Sequence, residues 1–292
     1  MSDAALSLSV SIEAGEQTLV EQALLNADVM RAELDEAMFV DAAHKGAVWL
    51  QIRHTDTVSS RPVRVRDLRS CSDKAADLLI NINRRVLDKY PLQATLKREE
   101  KNYSIWHKPS GMLCQGTRWA DHCSLVRVVE LAMARPVHLV HRLDKAASGL
   151  IVLAHTRPAA KALSALFAQR KVRKIYTASV NGCVDWSLPH VLDDPIDGKI
   201  AKTIVLAADV LAAKVDKAGD SSNADNSSRL SVQIETGRKH QIRQHLASAG
   251  FPIVGDRLFD PTREHALDLQ LSATELGFKC PFSGDEILVR CD

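Results

Sequence analysis

The chain has 292 residues, of which 46% are hydrophobic, so it can bury a sizeable core and hold two domains. A net charge of +2 neither indicates nor excludes a nucleic-acid partner. No apolar stretch reaches about 18 residues, so no membrane span is predicted. The N-terminus lacks a basic segment before an apolar run, so no secretory signal is expected and a cytoplasmic protein is favoured.

The six cysteines form no C-x-x-C pair, and no His/Cys cluster has zinc-finger spacing. They are expected to be reduced thiols, and no metal site is predicted. Charge is unevenly distributed. Residues 1–52 carry nine acids and two cations, whereas residues 53–101 carry twelve cations. Basic clusters recur at 170–174 and 238–243. Such stripes are the footprint of a phosphate-binding surface, although solvated faces are the commoner origin of charge runs.

The N-terminal part predicts two helices. Residues 1–12 alternate small polar and apolar residues and are expected to be loosely ordered. Apolar residues at helical spacing predict a helix over 16–37 and a second over 32–45, which Gly46 ends.

Strands follow at residues 47–52 and 77–83. Between them, residues 61–66 alternate cations with apolar residues, and in a strand this places Arg64 and Arg66 on one face. The sequence therefore predicts a small α/β accessory module over residues 1–92.

A second domain is predicted over residues 93–292, after a linker near Pro91. Its predicted elements are, in chain order, a buried strand at 150–154, a helix at 159–170, a strand at 175–180, a loop at 217–228, a strand at 230–235 and a helix at 241–249 that stops at Gly250.

Asp144 is the most informative residue. It lies between Arg142 and Lys145, and nearby cations favour the ionised form of a carboxyl group. The run ends in Ser148-Gly149 before the buried strand, so Asp144 sits on a loop held by a rigid element, where functional residues concentrate. A surface ion pair would give the same local pattern and is common.

Four stretches give the chain a family likeness over roughly residues 100–290. The run around Asp144 resembles the first signature of the RluA-like pseudouridine synthase family, with Ala147 in place of the usual Thr. The other similar stretches, in the family's order, are Trp106 to Gly111, Arg173 to Tyr176, and Thr236 to Leu246 followed by Pro252 to Asp256.

The resemblance implies an α+β fold, with a central mixed, largely antiparallel sheet flanked by helices and a cleft on one face. It implies isomerisation of specific uridines to pseudouridine in structured RNA, without metal or organic cofactor. The expected partner is RNA, with ribosomal RNA favoured and transfer RNA next, and the protein is expected to be a monomer.

The resemblance also implies roles for individual residues. Asp144 matches the family's catalytic aspartate, and two routes stay open for it: attack on the sugar carbon, or proton abstraction at C2′. Arg243 matches the arginine that pairs with it, and a guanidinium can hold a carboxylate bidentately. Tyr176 matches the active-site aromatic that stacks on the uracil.

Arg142 matches the residue that fills the place of a uridine leaving its stack. The other candidate RNA contacts are His141, Lys108, Lys174, Arg238 and Lys239. For His141 a purely structural role is an equal alternative, and for the lysines and Arg238 the alternative is exposed solubilising charge.

The N-terminal part resembles the alpha-L RNA-binding module in its element order. It lacks that module's usual basic second helix, because Glu33, Asp35 and Glu36 stand there. An accessory cap without RNA contact is the alternative. For the whole chain, the competing hypothesis is an RNA-binding or ribosome-assembly factor in which catalysis is secondary or lost. A glycosidase-like hydrolase is disfavoured, since the sequence shows no second carboxylate near Asp144.

Overall fold

The computed structural model describes residues 5–26, 29, 35–53, 60–211, 227–260 and 267–291. The chain forms two compact units. The first contains Met1–Leu92 together with Gln115–Val128, and the second contains Gln93–Cys114 together with Val129–Asp292. The sequence analysis proposes two continuous domains, over 1–92 and 93–292, whereas in the structure residues 115–128 pack with the N-terminal residues.

The first unit is a four-stranded antiparallel sheet covered by short helices. Its strands follow the spatial order β1-β4-β2-β3. The elements are β1 (Leu6–Ile12), α1 (Leu19–Leu24), α2 (Glu36–His44), β2 (Val48–Ile52), β3 (Val63–Arg64), β4 (Ala76–Ile82) and α3 (Arg84–Leu87).

Alternation along the strands divides this sheet into an apolar and a polar face. Val10, Val48 and Ile80 lie on the apolar face and pack with Phe39 of α2 in one buried cluster. The expectation of a loosely ordered N-terminus is wrong for residues 6–12. Every second side chain there joins that cluster: Val10 and Ile12 are buried in it, and Leu6 and Leu8 pack against it partly buried.

Caps fix the two longer helices of this unit. Thr18 and Glu21 form a capping box at the start of α1, and the Asp35 side chain accepts the Met38 N–H at the start of α2. Gly46, with φ +79°, follows α2 as predicted. Of the two predicted helices, residues 27, 28 and 30–34 lie outside the described residues.

The second unit is built on one ten-stranded sheet. Eight strands follow the order β10-β11-β12-β9-β13-β8-β6-β5, with β14 beside β13 and β7 beside β8. Only β8 and β13 pair in parallel among the described strands. The strands are β5 (Thr95–Glu99), β6 (Tyr103–Lys108), β7 (His138–Leu139), β8 (Ser148–Ala154), β9 (Val172–Asn181), β10 (His190–Leu192), β11 (Thr203–Leu211), β12 (Ser227–Ile234), β13 (Leu271–Lys279) and β14 (Glu286–Arg290).

Three helices complete the described secondary structure. They are α4 (Leu125–Met133), α5 (Arg157–Ala168) and α6 (Gln241–Ser248). Helix α5 starts at its cap, Thr156, whose hydroxyl accepts the Ala159 N–H, and Leu163 on its inner face joins the core with Leu150 and Val152 of β8. None of the described helices is long and apolar enough to cross a membrane.

The structure therefore has the mixed, largely antiparallel sheet and flanking helices that were predicted. Of the predicted loop at 217–228, residues 217–226 lie outside the described residues.

Candidate active site

The loop that carries Asp144 lies between β7 and β8. The Asp144 side chain is 27% exposed, so the protein holds the carboxylate but leaves it open to a substrate. Gly149, just after the loop, has φ +115°, and a Cβ there would overlap the backbone of Ala273. Only glycine permits both the turn and this close approach of β8 to β13, which fixes where the loop ends.

Lys108 is fully buried and ties this loop to the segment after β6. Its Nζ donates to the carbonyl oxygens of Lys145 (3.3 Å) and Ala147 (2.6 Å) in the loop, and of Pro109 (3.0 Å) and Met112 (2.9 Å) in the segment. Burial lowers the pKa of Lys108 to about 8, which leaves the ammonium protonated at neutral pH. The predicted phosphate contact is wrong for Lys108, because its ammonium faces carbonyls inside the protein.

Two further contacts brace the same loop. The Leu143 N–H donates to Cys114 Sγ at 3.3 Å, and Ser110 Oγ donates to the Ala146 carbonyl at 2.6 Å. Burial raises the pKa of the Cys114 thiol, so it stays protonated. Polar contacts thus hold the loop on both sides of Asp144, at Leu143 and at Ala146.

Arg243, on helix α6, is the cation nearest Asp144. Its Nη1 lies 3.5 Å from Asp144 Oδ2, which places the predicted pair together. The bidentate pairing, however, is made with another acid. Asp256 receives Nε at 2.8 Å and Nη2 at 2.6 Å, and its side chain has no solvent exposure. The expectation of a bidentate hold on Asp144 is therefore wrong, and Asp256 takes that place.

Asp256 is held ionised despite its burial. Burial alone would raise its pKa, but hydrogen bonds from Arg243 and from the backbone N–H groups of Leu258 and Phe259 outweigh it and lower the pKa. For Arg243, burial would lower the pKa, and the contacts to Asp256 and Asp144 raise it. The pair is thus charged throughout the neutral range.

Buried hydrogen bonds hold helix α6 on both sides of Arg243, at Gln241 and at His245. Gln241 Oε1 accepts from the Thr236 hydroxyl at 2.6 Å, and its Nε2 donates to Thr203 Oγ1 at 3.0 Å. One turn later His245 Nδ1 lies 2.9 Å from the same Thr203 oxygen. Since all these groups are buried, rotation of the helix about its axis is restricted, and with it the direction of Arg243.

His240 caps this helix in the left-handed conformation, with φ +56°. Its Nε2 lies 3.8 Å from Asp144 Oδ1, and its ring meets Phe259 edge-on. Burial lowers the pKa of His240 more than the neighbouring Asp144 raises it, so the ring is neutral at pH 7. Its position suits orienting Asp144 rather than exchanging a proton at neutral pH.

Tyr176, on β9, lies in the wall of a cleft of about 410 Å³. It is 8% exposed, and burial, followed by the charge of Asp144, raises the pKa of its hydroxyl, which stays protonated. Arg142, two residues before Asp144, belongs to the same wall. An apolar ring and a cation therefore face one opening beside the Asp144 loop.

The cleft wall is basic. Lys174 and Arg238, both predicted as RNA contacts, line it together with Arg170, which belongs to the basic cluster at 170–174. Burial lowers the pKa of Lys174, followed by the effect of Arg170. Lys239 is exposed but is not part of this wall. A cluster of guanidinium and ammonium groups around one opening suits the binding of phosphates.

His141 has a structural role. Its Nε2 accepts the Val152 N–H at 3.0 Å, and its ring stacks on Phe167 with centroids 4.2 Å apart. Burial, followed by the nearby charge of Lys174, lowers the pKa of His141 to about 3. Of the two alternatives left open for His141, this environment favours support of the loop, because a neutral imidazole offers a phosphate no charge.

The first unit has its own cluster of charged groups. Arg64 Nη1 and Arg66 Nη2 lie 3.1 and 2.5 Å from Asp121 Oδ2. Arg64 also donates to the carbonyls of Gly46 and Thr117, and Arg66 donates to that of His44 at 2.9 Å. The two arginines do share one side of the strand region, as predicted, but their donors are bound inside the unit.

Comparison with known proteins yields one family and several relatives. The RNA pseudouridylate synthase family matches residues 102–248. A dual-specificity RNA pseudouridine synthase RluA of Vibrio parahaemolyticus is 33% identical over 212 residues, which is 66% of this chain and 82% of that protein. The tRNA pseudouridine synthase C of the same species is 28% identical, over 68% of this chain and 90% of that one. The ribosomal large subunit pseudouridine synthase D of Zymomonas mobilis is 29% identical, over 65% and 66%.

A solved structure supports the fold. Human RNA Pseudouridylate Synthase Domain Containing 1 superimposes with a TM-score of 0.57 at 18% identity, covering 70% of this chain and 86% of that one. The predicted fold class is thereby confirmed.

Proposed function

Because the chain belongs to the RNA pseudouridylate synthase family and is an RNA pseudouridine synthase, we propose that Asp144 carries its reaction without a cofactor. The observation that supports this most is the position of the Asp144 carboxylate. It is partly exposed, stands 3.5 Å from the Arg243 guanidinium and lies on a loop that buried groups hold in place. A carboxylate fixed and open to a substrate is what the chemistry requires.

The reaction is an isomerisation with a simple balance. The N1–C1′ bond of a uridine breaks, a C5–C1′ bond forms, and the proton lost from C5 is matched by one gained at N1. Asp144 can start it either by attack on C1′ or by removing the C2′ proton, and both routes stay open. Tyr176 would stack on the uracil, and Arg142 would brace the RNA from which the nucleotide has turned out.

The environment of Asp256 argues against the hydrolase alternative. A glycosidase needs two carboxyl groups that reach the sugar and the leaving group. Asp256 is the acid that shares Arg243 with Asp144, but its side chain is unexposed and both its oxygens accept hydrogen bonds from Arg243. It cannot act on a sugar, so one working carboxylate is left.

For the target, we propose ribosomal RNA first and transfer RNA second. One relative is named for transfer RNA and another for the ribosomal large subunit. Sequence similarity to relatives therefore does not decide between the two targets. The preference for ribosomal RNA rests on the first unit, whose sequence resembles the alpha-L RNA-binding module, a small fold that also occurs in a small-subunit ribosomal protein. Its contacts would come from exposed cations such as Arg61 and Arg69, because Arg64 and Arg66 are bound internally.

The test replaces Asp144 by asparagine, which keeps size and shape but removes the charge. We expect a loss of roughly 10³-fold or more in product formation, about 4 kcal/mol of transition-state stabilisation, with RNA affinity nearly unchanged. Pseudouridine mapping across all RNAs of a deletion strain supplies the substrate. Wild-type conversion by the variant would sink the assignment, and a missing pseudouridine in transfer RNA alone would overturn the target preference.

A further inference from the structure

We propose that Asp256 is a positioning residue of this reaction, which turns the Arg243 guanidinium so that its Nη1 edge faces Asp144. The inference rests on the proposed function, because it presumes that Asp144 is the reacting group. It adds a residue to which the sequence motif assigns no role.

The geometry of the two contacts is unequal. Arg243 gives Asp256 two short hydrogen bonds, at 2.6 and 2.8 Å, and approaches Asp144 only through Nη1 at 3.5 Å. A guanidinium has five N–H groups in one plane, and Asp256 takes those on the Nε and Nη2 side. The remaining Nη1 edge is the part left for Asp144. The plane of the guanidinium is thus set by Asp256, and Asp144 is free to move toward a substrate.

The loop after Gly255 is built to hold Asp256. Gly255 has φ +77°, and a Cβ there would overlap the carbonyl of Asp268, so the turn into Asp256 requires glycine. The N–H groups of Leu258 and Phe259 then donate to Asp256 Oδ1 at 3.0 and 3.1 Å.

The same loop also covers the cation. The Phe259 ring centroid lies 5.1 Å from Arg243 Cζ, within reach of a cation–π contact. Arg243 therefore lies between a carboxylate and an aromatic ring that come from one short loop. With Asp256 and Phe259 in these positions, the Nη1 group of Arg243 is the donor that faces Asp144.

A positioning role predicts that kcat falls while RNA binding does not. In Asp256→Asn the amide keeps the size of the side chain, but its NH₂ group opposes an Arg243 donor and the guanidinium must turn. We expect kcat to fall about 10²-fold, as for a misplacement of roughly 1 Å, with KM for the RNA changed less than about threefold. A loss confined to KM would overturn the proposal, because it would make Asp256 part of RNA binding.

Asp260→Asn is the matched control. Asp260 belongs to the same segment and is also buried, and its Oδ2 accepts from Nδ2 of Asn181, on β9, at 2.8 Å. The change is the same in chemistry, so we expect a similar loss of stability with unchanged kcat. An equal fall of kcat in both variants would show a general effect of loosening the loop and would overturn a specific role of Asp256.

A second comparison works even if Asp256→Asn fails to fold. Arg243→Gln alone is compared with Arg243→Gln/Asp256→Asn, in which both members of the pair are neutral and no buried charge is left alone. If Asp256 acts through Arg243, single-turnover rates of the two proteins agree within about threefold. A further fall of tenfold or more in the double variant would overturn the proposal.

Two outcomes separate the role of Asp144 from that of Asp256. Activity retained in Asp144→Asn removes the proposed function and this role with it. Activity abolished in Asp144→Asn but normal in Asp256→Asn removes the positioning role alone.

Discussion

Each unit of the protein contains an arginine–aspartate cluster, and the two differ in what they leave uncommitted. In the first unit, two arginines meet one acid, Asp121, and each arginine also donates to a backbone carbonyl. In the second unit, one arginine lies between two acids, and only Asp256 is bound tightly. Asp144 is left with a long contact and partial exposure.

These contacts distinguish a structural cluster from a reactive one. Both contain the same chemical groups at similar distances, so composition alone does not distinguish them. What matters is whether a charged group that keeps an unused acceptor or donor is also open to a substrate. Asp144 is 27% exposed, whereas the oxygen of Asp121 that accepts no hydrogen bond, Oδ1, is buried.

The largest expected effect comes from removing the shared cation. Arg243→Ala leaves Asp256 buried without its partner, which should cost about 3–5 kcal/mol in the free energy of unfolding. It also removes the donor that orients Asp144, so activity should fall by roughly 10²-fold. Denaturant unfolding and single-turnover assays measure the two effects.

Arg243→Lys is the companion variant. An ammonium restores the charge but not the planar pairing with Asp256, so recovery of activity should be partial. Full recovery would mean that only the positive charge matters. The orientation of the guanidinium by Asp256 would then have no effect on activity.

The counterpart in the first unit is Asp121→Asn. Its side chain is 10% exposed and its two arginine partners are less than a third exposed, so we expect a loss of about 2 kcal/mol in stability. The single-turnover rate at saturating RNA should be unchanged. This substitution is a cleaner probe of the first unit than a truncated chain that starts near Gln93. Residues 115–128 pack with the N-terminal residues, so a truncation would leave them without their packing partners. A fall of the rate by tenfold in Asp121→Asn would contradict the assignment of this cluster to structure.

Local sequence signals predicted most elements and the reactive loop. The run of apolar residues in β8 and the helical spacing in α6 were sufficient, because each element's burial follows its own periodicity. The resemblance brought Asp144, Tyr176 and Arg243 together, and the structure places them in one unit.

What the sequence could not supply are pairings set by distant turns. Asp256 is 13 residues from Arg243, and its approach depends on the turn at Gly255. Asp121 is 55 residues from Arg66. Lys108 was misjudged for a related reason: a lysine in a sequence looks the same whether its ammonium meets water or four carbonyls. In each case the fold decides which charges are available, and no local pattern records it.

The pH dependence of stability tests whether His141 is a structural residue. Its Nε2 already accepts a hydrogen bond from the Val152 N–H. Its pKa, about 3 in the folded protein against an ordinary 6.5, means that the unfolded chain binds a proton more readily between these values. Stability from this group is complete above pH 6.5 and is lost as the pH falls toward 3. By pH 4 the loss should be on the order of 3 kcal/mol.

The check compares wild type with His141→Gln by denaturant unfolding from pH 7 to pH 4. The variant cannot titrate at this position, so its stability should fall less steeply over that range. Parallel curves would show that His141 titrates normally in the folded protein and is free to carry charge at the cleft.

The smallest expected effect compares one free cation with one committed cation. Lys239 is exposed, whereas Arg66 is bound to Asp121 and to the His44 carbonyl. If Lys239 meets a phosphate, Lys239→Ala should weaken RNA binding only a few-fold but lower the slope of log affinity against log salt by about 1. Arg66→Ala should leave that slope unchanged while reducing stability, because its donors release no counterions from RNA. Binding isotherms at four salt concentrations on the same RNA decide between them. A reduced slope in Arg66→Ala would mean that RNA competes for a donor which the fold holds only weakly, and the first unit's cluster would then belong to the binding surface.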